Sequence, residues 1–155
     1  MNNIKVLKIQ WQRLIIDGET CLRCGNTEEE VTKALQSLER SLGPLGIRVD
    51  LEKQGLDREA FGRDPSLSNR IWINGRLLEE WLDLKVGQSQ CCGPCGEAEC
   101  RTVEAEGEIY ETVPASLIIK AGLMAAAKML EVKTGKQCCP GEFVSEGAPN
   151  SCCPE

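Results

Sequence analysis

The chain contains no histidine, and aromatic residues make up only 4% of its 155 residues. Metal ions that need nitrogen ligands are therefore poor candidates for binding. A positive net charge is also lacking: the chain has 18 Lys and Arg against 24 Asp and Glu, a net charge of −6, and no cluster of Lys and Arg is interleaved with aromatic residues. Contact with a phosphate backbone needs such a basic surface, so we expect no nucleic-acid partner.

Long hydrophobic runs are missing as well. The longest apolar stretch near the C-terminus, residues 115–130, is interrupted by Lys120 and Lys128, so it is not predicted to span a membrane. Residues 1–12 show no basic segment followed by an apolar run, so no secretion signal is predicted. We therefore expect a cytoplasmic protein with no membrane partner.

Cysteine is abundant, with ten residues in three groups. A chain of this length with 41% apolar residues can bury an ordinary core without disulfides, so the cysteines are available for function. In a reducing cytosol, paired cysteines more often bind metals or take part in catalysis than staple a fold. The groups are a Cys-x-x-Cys pair, four cysteines within ten residues, and two Cys-Cys-Pro tripeptides: Cys21 and Cys24; Cys91, Cys92, Cys95 and Cys100; Cys138, Cys139, Cys152 and Cys153.

The first half of the chain alternates strand and helix patterns. Residues 4–16 predict a strand, and residues 27–42 predict a helix with Thr27 as its N-cap and Glu30 completing a capping box. Gly43-Pro44 ends that helix, after which Ile47, Val49 and Leu51 alternate as a second strand. A short helix or loop is expected around residues 58–62.

The second half predicts two hairpins and a helix. Asn74-Gly75 is typical of a type I′ turn and predicts a hairpin over residues 70–82. A second hairpin is predicted around Glu106-Gly107, within residues 101–113, and Pro114 precedes an Ala-rich helix over residues 115–132. The remaining residues, 133–155, have almost no aliphatic side chains and cannot fold alone. We therefore predict a domain over residues 1–132 and a flexible Cys-rich tail over residues 133–155.

The order of strand, Cys-x-x-Cys, helix, strand, hairpin and helix resembles a thioredoxin-like fold. More narrowly, the chain resembles DUF2703, a prokaryotic domain family of unknown function that is grouped with thioredoxin-like proteins. The resemblance covers roughly residues 4–130. It implies an α/β fold with a mixed four- to five-stranded sheet and flanking helices. It gives no information about activity. It rests on Cys21-x-x-Cys24 with Thr27-Glu28-Glu29, the segments SNRIWINGR at 68–76 and CCGPC at 91–95, and Cys100-Arg101 with YETVP at 110–114.

Two features differ from ordinary thioredoxins. Those proteins have a cis-proline before the third strand, whereas Asn69 occupies the matching place here and Pro65 is the nearest proline. Without the proline ring, we expect the Cys21 and Cys24 pair to be less shielded. Gly25-Asn26 separate Cys24 from Thr27, so both thiols are expected on a loop before the helix, where activation by its N-terminus is weaker.

The favoured hypothesis is a protein that captures a thiophilic metal or metalloid ion, such as As(III), Hg(II) or Zn(II), and transfers it. In the expected topology, the loop after Leu82 emerges near Cys21, so the folded cysteines can share one edge of the sheet. An iron–sulfur cluster ranks below these ions. The tail cysteines would act as a relay, with a metal-handling or redox protein as a further partner. The predicted ligands are Cys21, Cys24, Cys91, Cys92, Cys95 and Cys100, and the predicted relay is Cys138, Cys139, Cys152 and Cys153.

Two other functions remain open. One is a thiol–disulfide oxidoreductase in which Cys21 attacks a partner disulfide and Cys24 resolves the mixed disulfide, with the tail passing electrons onward. The other is a binding module stapled by zinc or an iron–sulfur cluster, in which the cysteines serve the fold alone.

Overall fold

The computed structural model describes residues 4–91 and 95–131 of the chain. This part contains two β-sheets and four α-helices, with 3₁₀ turns at Gly43–Leu45 and Pro65–Leu67. The helices are α1 (Leu22–Leu42), α2 (Arg58–Arg63), α3 (Leu78–Leu82) and α4 (Ala115–Leu130). The strands are β1 (Lys5–Leu14), β2 (Ile47–Leu56), β3 (Arg70–Ile73), β4 (Arg76–Leu77), β5 (Lys85–Gln90), β6 (Glu99–Ala105) and β7 (Glu108–Tyr110).

The first sheet has the strand order β2-β1-β3-β4 and is mixed. β1 pairs in parallel with β2, with α1 as the connection, and pairs antiparallel with β3. The central strand β1 buries Leu7, Ile9 and Trp11 completely, whereas Lys8 and Gln10 between them are not buried, so the core lies against one face of this strand. The predicted α/β class and mixed four-stranded sheet are therefore confirmed.

The second sheet is antiparallel, with the order β5-β6-β7. The predicted hairpin around Glu106-Gly107 is confirmed as the connection of β6 to β7, and both turn residues have positive φ. Strand β5 was not predicted, because its sequence, Lys-Val-Gly-Gln-Ser-Gln, is polar and almost wholly exposed. It is a strand because six of its residues pair with β6. Its own sequence shows no strand pattern.

Helix α1 begins at Leu22, so the prediction that it begins after Thr27 is wrong. The N–H of Gly25 donates to the carbonyl of Cys21 at 2.8 Å, which continues the helix through Gly25-Asn26. Thr27 and Glu30 do not form the predicted capping box. The Thr27 hydroxyl accepts the N–H of Val113 at 3.4 Å, and the Glu30 carboxylate accepts the N–H of Ala115 at 2.8 Å. These side chains therefore accept hydrogen bonds from backbone N–H groups at the start of α4 instead of capping α1.

The Asn74-Gly75 turn is confirmed, with φ of 48° and 77°. The strand after it is shorter than predicted, because β4 ends at Leu77 and α3 follows. The Glu80 carboxylate accepts the N–H of Leu77 at 3.2 Å, which caps that helix. Trp81 packs back on the sheet, where its indole N–H donates to the Ile73 carbonyl at 2.9 Å. The short helix expected around residues 58–62 is confirmed as α2.

Helix α4 packs on α1 and closes the core. Ala115 follows Pro114 as predicted, and the helix continues to Leu130. The predicted end at residue 132 and the tail over residues 133–155 lie outside the described residues. Among the helices that the structure describes, none has the length and apolar character needed to cross a bilayer.

Candidate thiol site

The first two cysteines lie at the beginning of α1. Cys21 is its N-cap, and Cys24 lies in its first turn. The structure therefore corrects the prediction that both lie on a loop before the helix. A thiol at this position lies near the unpaired N–H groups of the helix start, which favour a negative charge.

The expectation that this pair is weakly shielded is wrong, since Cys21 is 3% exposed and Cys24 is 1% exposed. Asn69 is itself buried, has a left-handed backbone conformation with φ 60°, and directly follows Ser68, whose hydroxyl lies 3.6 Å from the Cys24 sulfur. Its side-chain oxygen accepts the indole N–H of Trp11 at 3.2 Å, and its amide nitrogen donates to the carbonyl of Glu111 at 3.4 Å. An asparagine with both ends of its side chain bonded therefore holds the residue next to Ser68 in place.

The second sheet supplies three more cysteines. Cys91 follows β5, Cys95 precedes β6, and Cys100 lies in β6 opposite Ser89. The N–H of Ala98 donates to the Cys95 carbonyl at 3.2 Å, and the N–H of Cys91 donates to the Ala98 carbonyl at 3.5 Å. These bonds bring the two ends of the segment together. All three cysteines are buried.

The two groups of cysteines meet. The sulfurs of Cys21, Cys91 and Cys95 all lie within 4.8 Å of one another, and we call these three residues the thiol cluster. The Sγ atoms of Cys21 and Cys91 are 3.8 Å apart although the residues are 70 positions apart in the sequence. Sulfurs bound tetrahedrally to one zinc ion at about 2.3 Å are about 3.8 Å apart. The cluster therefore has the spacing at which one ion can bridge its members.

Two further cysteines flank the cluster. The Cys24 thiol lies against Cys21 on one side and 3.6 Å from the hydroxyl of Ser68 on the other. Ser68 is fixed in turn, because its hydroxyl accepts the N–H of Leu14 at 3.1 Å. Cys100 contacts Cys95 at the opposite end. The five described cysteines therefore form one continuous series of sulfur contacts.

The thiol of Cys21 is acidic. Its hydrogen bond from the Cys24 thiol is the largest cause and lowers the pKa of Cys21 from 9.0 to about 5, with smaller contributions from Cys91 and Cys95. The same contact raises the pKa of Cys24, because Cys24 keeps the shared proton, and burial raises it further. Cys21 is therefore a thiolate at neutral pH and Cys24 a thiol.

The other two members of the cluster keep their protons. Burial, followed by the negative charge of Cys21, raises the pKa of Cys91 to about 12. Burial also raises the pKa of Cys95, which bonds to Cys100. At neutral pH the empty cluster therefore has one thiolate and two thiols.

The structure brings five of the six predicted ligands into one region: Cys21, Cys24, Cys91, Cys95 and Cys100. Cys92 and the four predicted relay cysteines, Cys138, Cys139, Cys152 and Cys153, lie outside the described residues. Sequence analysis missed two supporting residues, Arg23 and Ser68. Position between the two cysteines is no signal for Arg23, since Leu22 also lies between them and is 80% exposed.

The chain belongs to the DUF2703 family, described as a domain of unknown function, whose model matches residues 7–122. A protein of Archaeoglobus fulgidus described as an uncharacterized protein is 48% identical over 112 residues, which cover 72% of this chain and 82% of that protein. No solved structure matches the chain.

Proposed function

We propose that the protein binds a thiophilic metal or metalloid ion through the thiol cluster. The observation that carries the proposal is the convergence of three buried cysteine sulfurs within 4.8 Å of one another. Thiolates prefer soft ions, and the chain offers no imidazole as an alternative ligand. Cys21 supplies a ready thiolate, the form in which sulfur binds metals.

Arsenic(III) fits the cluster best among the candidate ions, because it forms three bonds to sulfur. Zn(II) in structural sites takes four ligands, and three of the described sulfurs lie within mutual range. Cys24 or Cys100 would have to move to complete a zinc site. In the arsenic reaction each cysteine sulfur replaces one hydroxyl of arsenious acid and one water is released per bond formed.

Native mass spectrometry of the reduced protein, titrated anaerobically with arsenite, tests the proposal. We expect one adduct with the mass of one arsenic atom less three protons. Cys21→Ser, Cys91→Ser and Cys95→Ser should each weaken binding by more than about a hundredfold, since loss of a ligand exceeds the cost of losing a supporting partner. Cys100→Ser is the matched control and should bind nearly as tightly as wild type. A wild-type protein that binds none of As(III), Hg(II) or Zn(II) would refute the proposal.

We further propose that the ion is passed on. Residues 133–155 carry four cysteines in Cys-Cys-Pro units, and adjacent thiols suit transient two-sulfur exchange better than a stable disulfide. In this proposal residues 1–132 are the folded domain and the tail hands the ion to a metal-handling partner protein. Such exchange needs reduced thiols, which is why we assign the protein to the cytoplasm.

A second candidate function is thiol–disulfide exchange by Cys21 and Cys24. The acidity of Cys21 and the proton kept by Cys24 favour it, because one sulfur is ready to attack a disulfide and the other to resolve it. We interpret the mixed four-stranded sheet, with this pair at the start of α1, as thioredoxin-like. A turnover assay with a disulfide substrate and a dithiol reductant tests this candidate. Cys21→Ser and Cys24→Ser should abolish turnover, while absence of turnover in wild type would eliminate the candidate.

A further inference from the structure

Arg23 lies between the two cysteines of the Cys-x-x-Cys pair and points into the protein. Its side chain is 7% exposed, whereas the adjacent Leu22 is 80% exposed. A guanidinium is costly to bury unless its N–H groups are bonded. The contacts that satisfy it therefore indicate what the residue does.

The hydrogen bonds of Arg23 to backbone carbonyls all go to the segments that carry the second group of cysteines. Nη2 donates at 3.0 Å to the carbonyl of Gln90, which is the residue immediately before Cys91. Nη1 donates to the carbonyls of Ser89 at 3.4 Å and Cys100 at 3.5 Å, which face each other across β5 and β6. Nη2 also forms an ion pair with the carboxylate of Glu111 at 3.0 Å.

Arg23 therefore joins the two halves of the thiol site. Its backbone is fixed in the first turn of α1, one residue from Cys24 and two from Cys21. Its guanidinium holds the end of β5 from which Cys91 emerges and the strand β6 that follows Cys95. The hydroxyl of Ser89 donates to Glu111 at 2.9 Å, so the same carboxylate supports the arrangement from outside.

We propose that Arg23 is the positioning residue that sets the distance between Cys21 and the segment of Cys91 and Cys95. The consequence for ion binding rests on the function proposed above. By setting this distance, Arg23 allows three sulfurs to bind one ion. The planar fork of the guanidinium matters as well as its charge, because it bonds carbonyls on two strands at once. A lysine ammonium cannot reproduce that geometry.

Arg23→Met tests the proposal, with Arg76→Met as the matched control. Like Arg23, Arg76 donates to a backbone carbonyl, that of Glu80 at 2.8 Å. It lies on β4, not between the two cysteines of the pair, and its guanidinium stacks on the ring of Trp81. With arsenite bound, X-ray absorption should count three sulfurs around arsenic in wild type and Arg76→Met, and two in Arg23→Met. Arsenite affinity should fall at least about tenfold in Arg23→Met, the usual cost of losing a group that orients a ligand.

Arg23→Lys separates positioning from charge and from stability. It keeps the charge and most of the apolar stem, so we expect it to fold even if Arg23→Met does not, which circular dichroism checks. It should also show two sulfurs around arsenic. Three sulfurs and wild-type affinity in Arg23→Lys would overturn the proposal, as would three sulfurs in a folded Arg23→Met.

A second measurement needs no ion and decides the role of Arg23 even if arsenite binding fails. In a background where every cysteine except Cys21 and Cys91 is serine, glutathione disulfide oxidises the pair. The Cys21–Cys91 bond forms, the glutathione S–S bond breaks, and two glutathione thiols are released. Arg23→Met should lower the equilibrium constant for this exchange at least about tenfold, as expected for a lost effective concentration. An unchanged constant would overturn the proposal.

Discussion

At the scale of single residues, Cys21 differs from its neighbours in ionisation. It is as buried as they are, yet its pKa is lowered to about 5, while those of Cys24, Cys91 and Cys95 are raised. The hydrogen bond between Cys24 and Cys21 explains the first two directions, since it lowers the pKa of the acceptor and raises that of the donor, whereas burial is the largest cause of the raised pKa of Cys91 and Cys95. Cys21 is therefore the sulfur that reacts first with an electrophile, whether that is a soft ion or a disulfide.

Replacing Cys24 should raise the pKa of Cys21, because the Cys24 thiol is the largest cause of its lowering. In wild type, one thiolate should form as the pH rises through about 5, as shown by the ultraviolet absorbance of thiolates. Cys24→Ala should move that midpoint upward. Cys100→Ala is the control and should leave the midpoint in place. A midpoint unaffected by Cys24→Ala would contradict the assignment of this hydrogen bond.

The pH dependence of binding should distinguish the class of ion. Arsenious acid releases three waters on reacting with three thiols, so a cluster with one thiolate takes up one proton. Its arsenite affinity should fall about tenfold per pH unit between about pH 6 and 8. Zn(II) would instead displace two protons from Cys91 and Cys95, so its affinity should rise about a hundredfold per unit. Calorimetric titrations at several pH values measure both slopes, and a flat arsenite slope would show that Cys21 is not the thiolate.

At the scale of elements, α1 and α4 pack against each other and against the first sheet. Gly122 of α4 lies against Leu38 of α1, where a Cβ atom would be 2.7 Å from Leu38 Cδ1. Leu38 is completely buried and cannot swing into solvent. The two helices therefore approach as closely as they do because α4 has no side chain at this position.

Gly122→Ala should destabilise the protein although alanine favours helices. Overpacking a core costs about 1–3 kcal/mol, which exceeds the gain of about 1 kcal/mol from helix propensity. Gly62→Ala in α2 is the matched control, since its Cβ would meet nothing within 4 Å. Urea unfolding should show a lower midpoint for Gly122→Ala and an equal or higher one for Gly62→Ala. A stabilised Gly122→Ala would show that Leu38 repacks freely.

At the scale of the whole molecule, the described chain ends far from the thiol cluster. The start of α4 bonds to Thr27 and Glu30 of α1, whereas Met129 near its end bonds to Lys5, the first residue of β1. Helix α1, with 21 residues, is about 30 Å long. Cys21 is at the N-terminal end of α1, and α4 runs alongside α1 toward the C-terminal end of α1. The proposed tail must therefore span about 25 Å from the end of α4 back to the thiol cluster.

This distance selects one of the two tail pairs. If the proposed tail is a flexible chain, the 8 residues from Glu131 to Cys139 give a root-mean-square length of about 16 Å, whereas the 22 residues to Cys153 give about 26 Å. Effective concentration is highest when the length matches the span. We therefore predict that Cys152 and Cys153 are the relay.

Rates of handover to a competing dithiol test this prediction. Deletion of residues 133–155 should leave the fold and the affinity for one ion unchanged, because the tail has almost no aliphatic side chains, and should slow handover by at least about tenfold. Cys152→Ser with Cys153→Ser should reproduce that loss, and Cys138→Ser with Cys139→Ser is the matched control. Equal rates in all variants would show that the tail is not a relay.

Much of the fold could be predicted from local patterns. The alternation in β1, the Asn74-Gly75 turn and the Ala-rich segment of α4 each depend on neighbouring residues, so the sequence shows them directly. The start of α1 could not be predicted in this way. Thr27 and Glu30 match a capping box, but they bond to the backbone of Val113 and Ala115, more than 80 positions away. A local motif is uninformative when a distant segment supplies better partners.

The sequence alone determined that sulfur is available as a ligand and imidazole is not, since the chain has ten cysteines and no histidine, and sulfur prefers soft ions. Only the tertiary structure decided which cysteines act together. Cys21 meets Cys91 and Cys95 because Arg23 and β5 bring the second sheet against the start of α1, and β5 has no pattern of its own. The contact between sulfurs 70 positions apart results from packing, which spacing in the sequence does not specify.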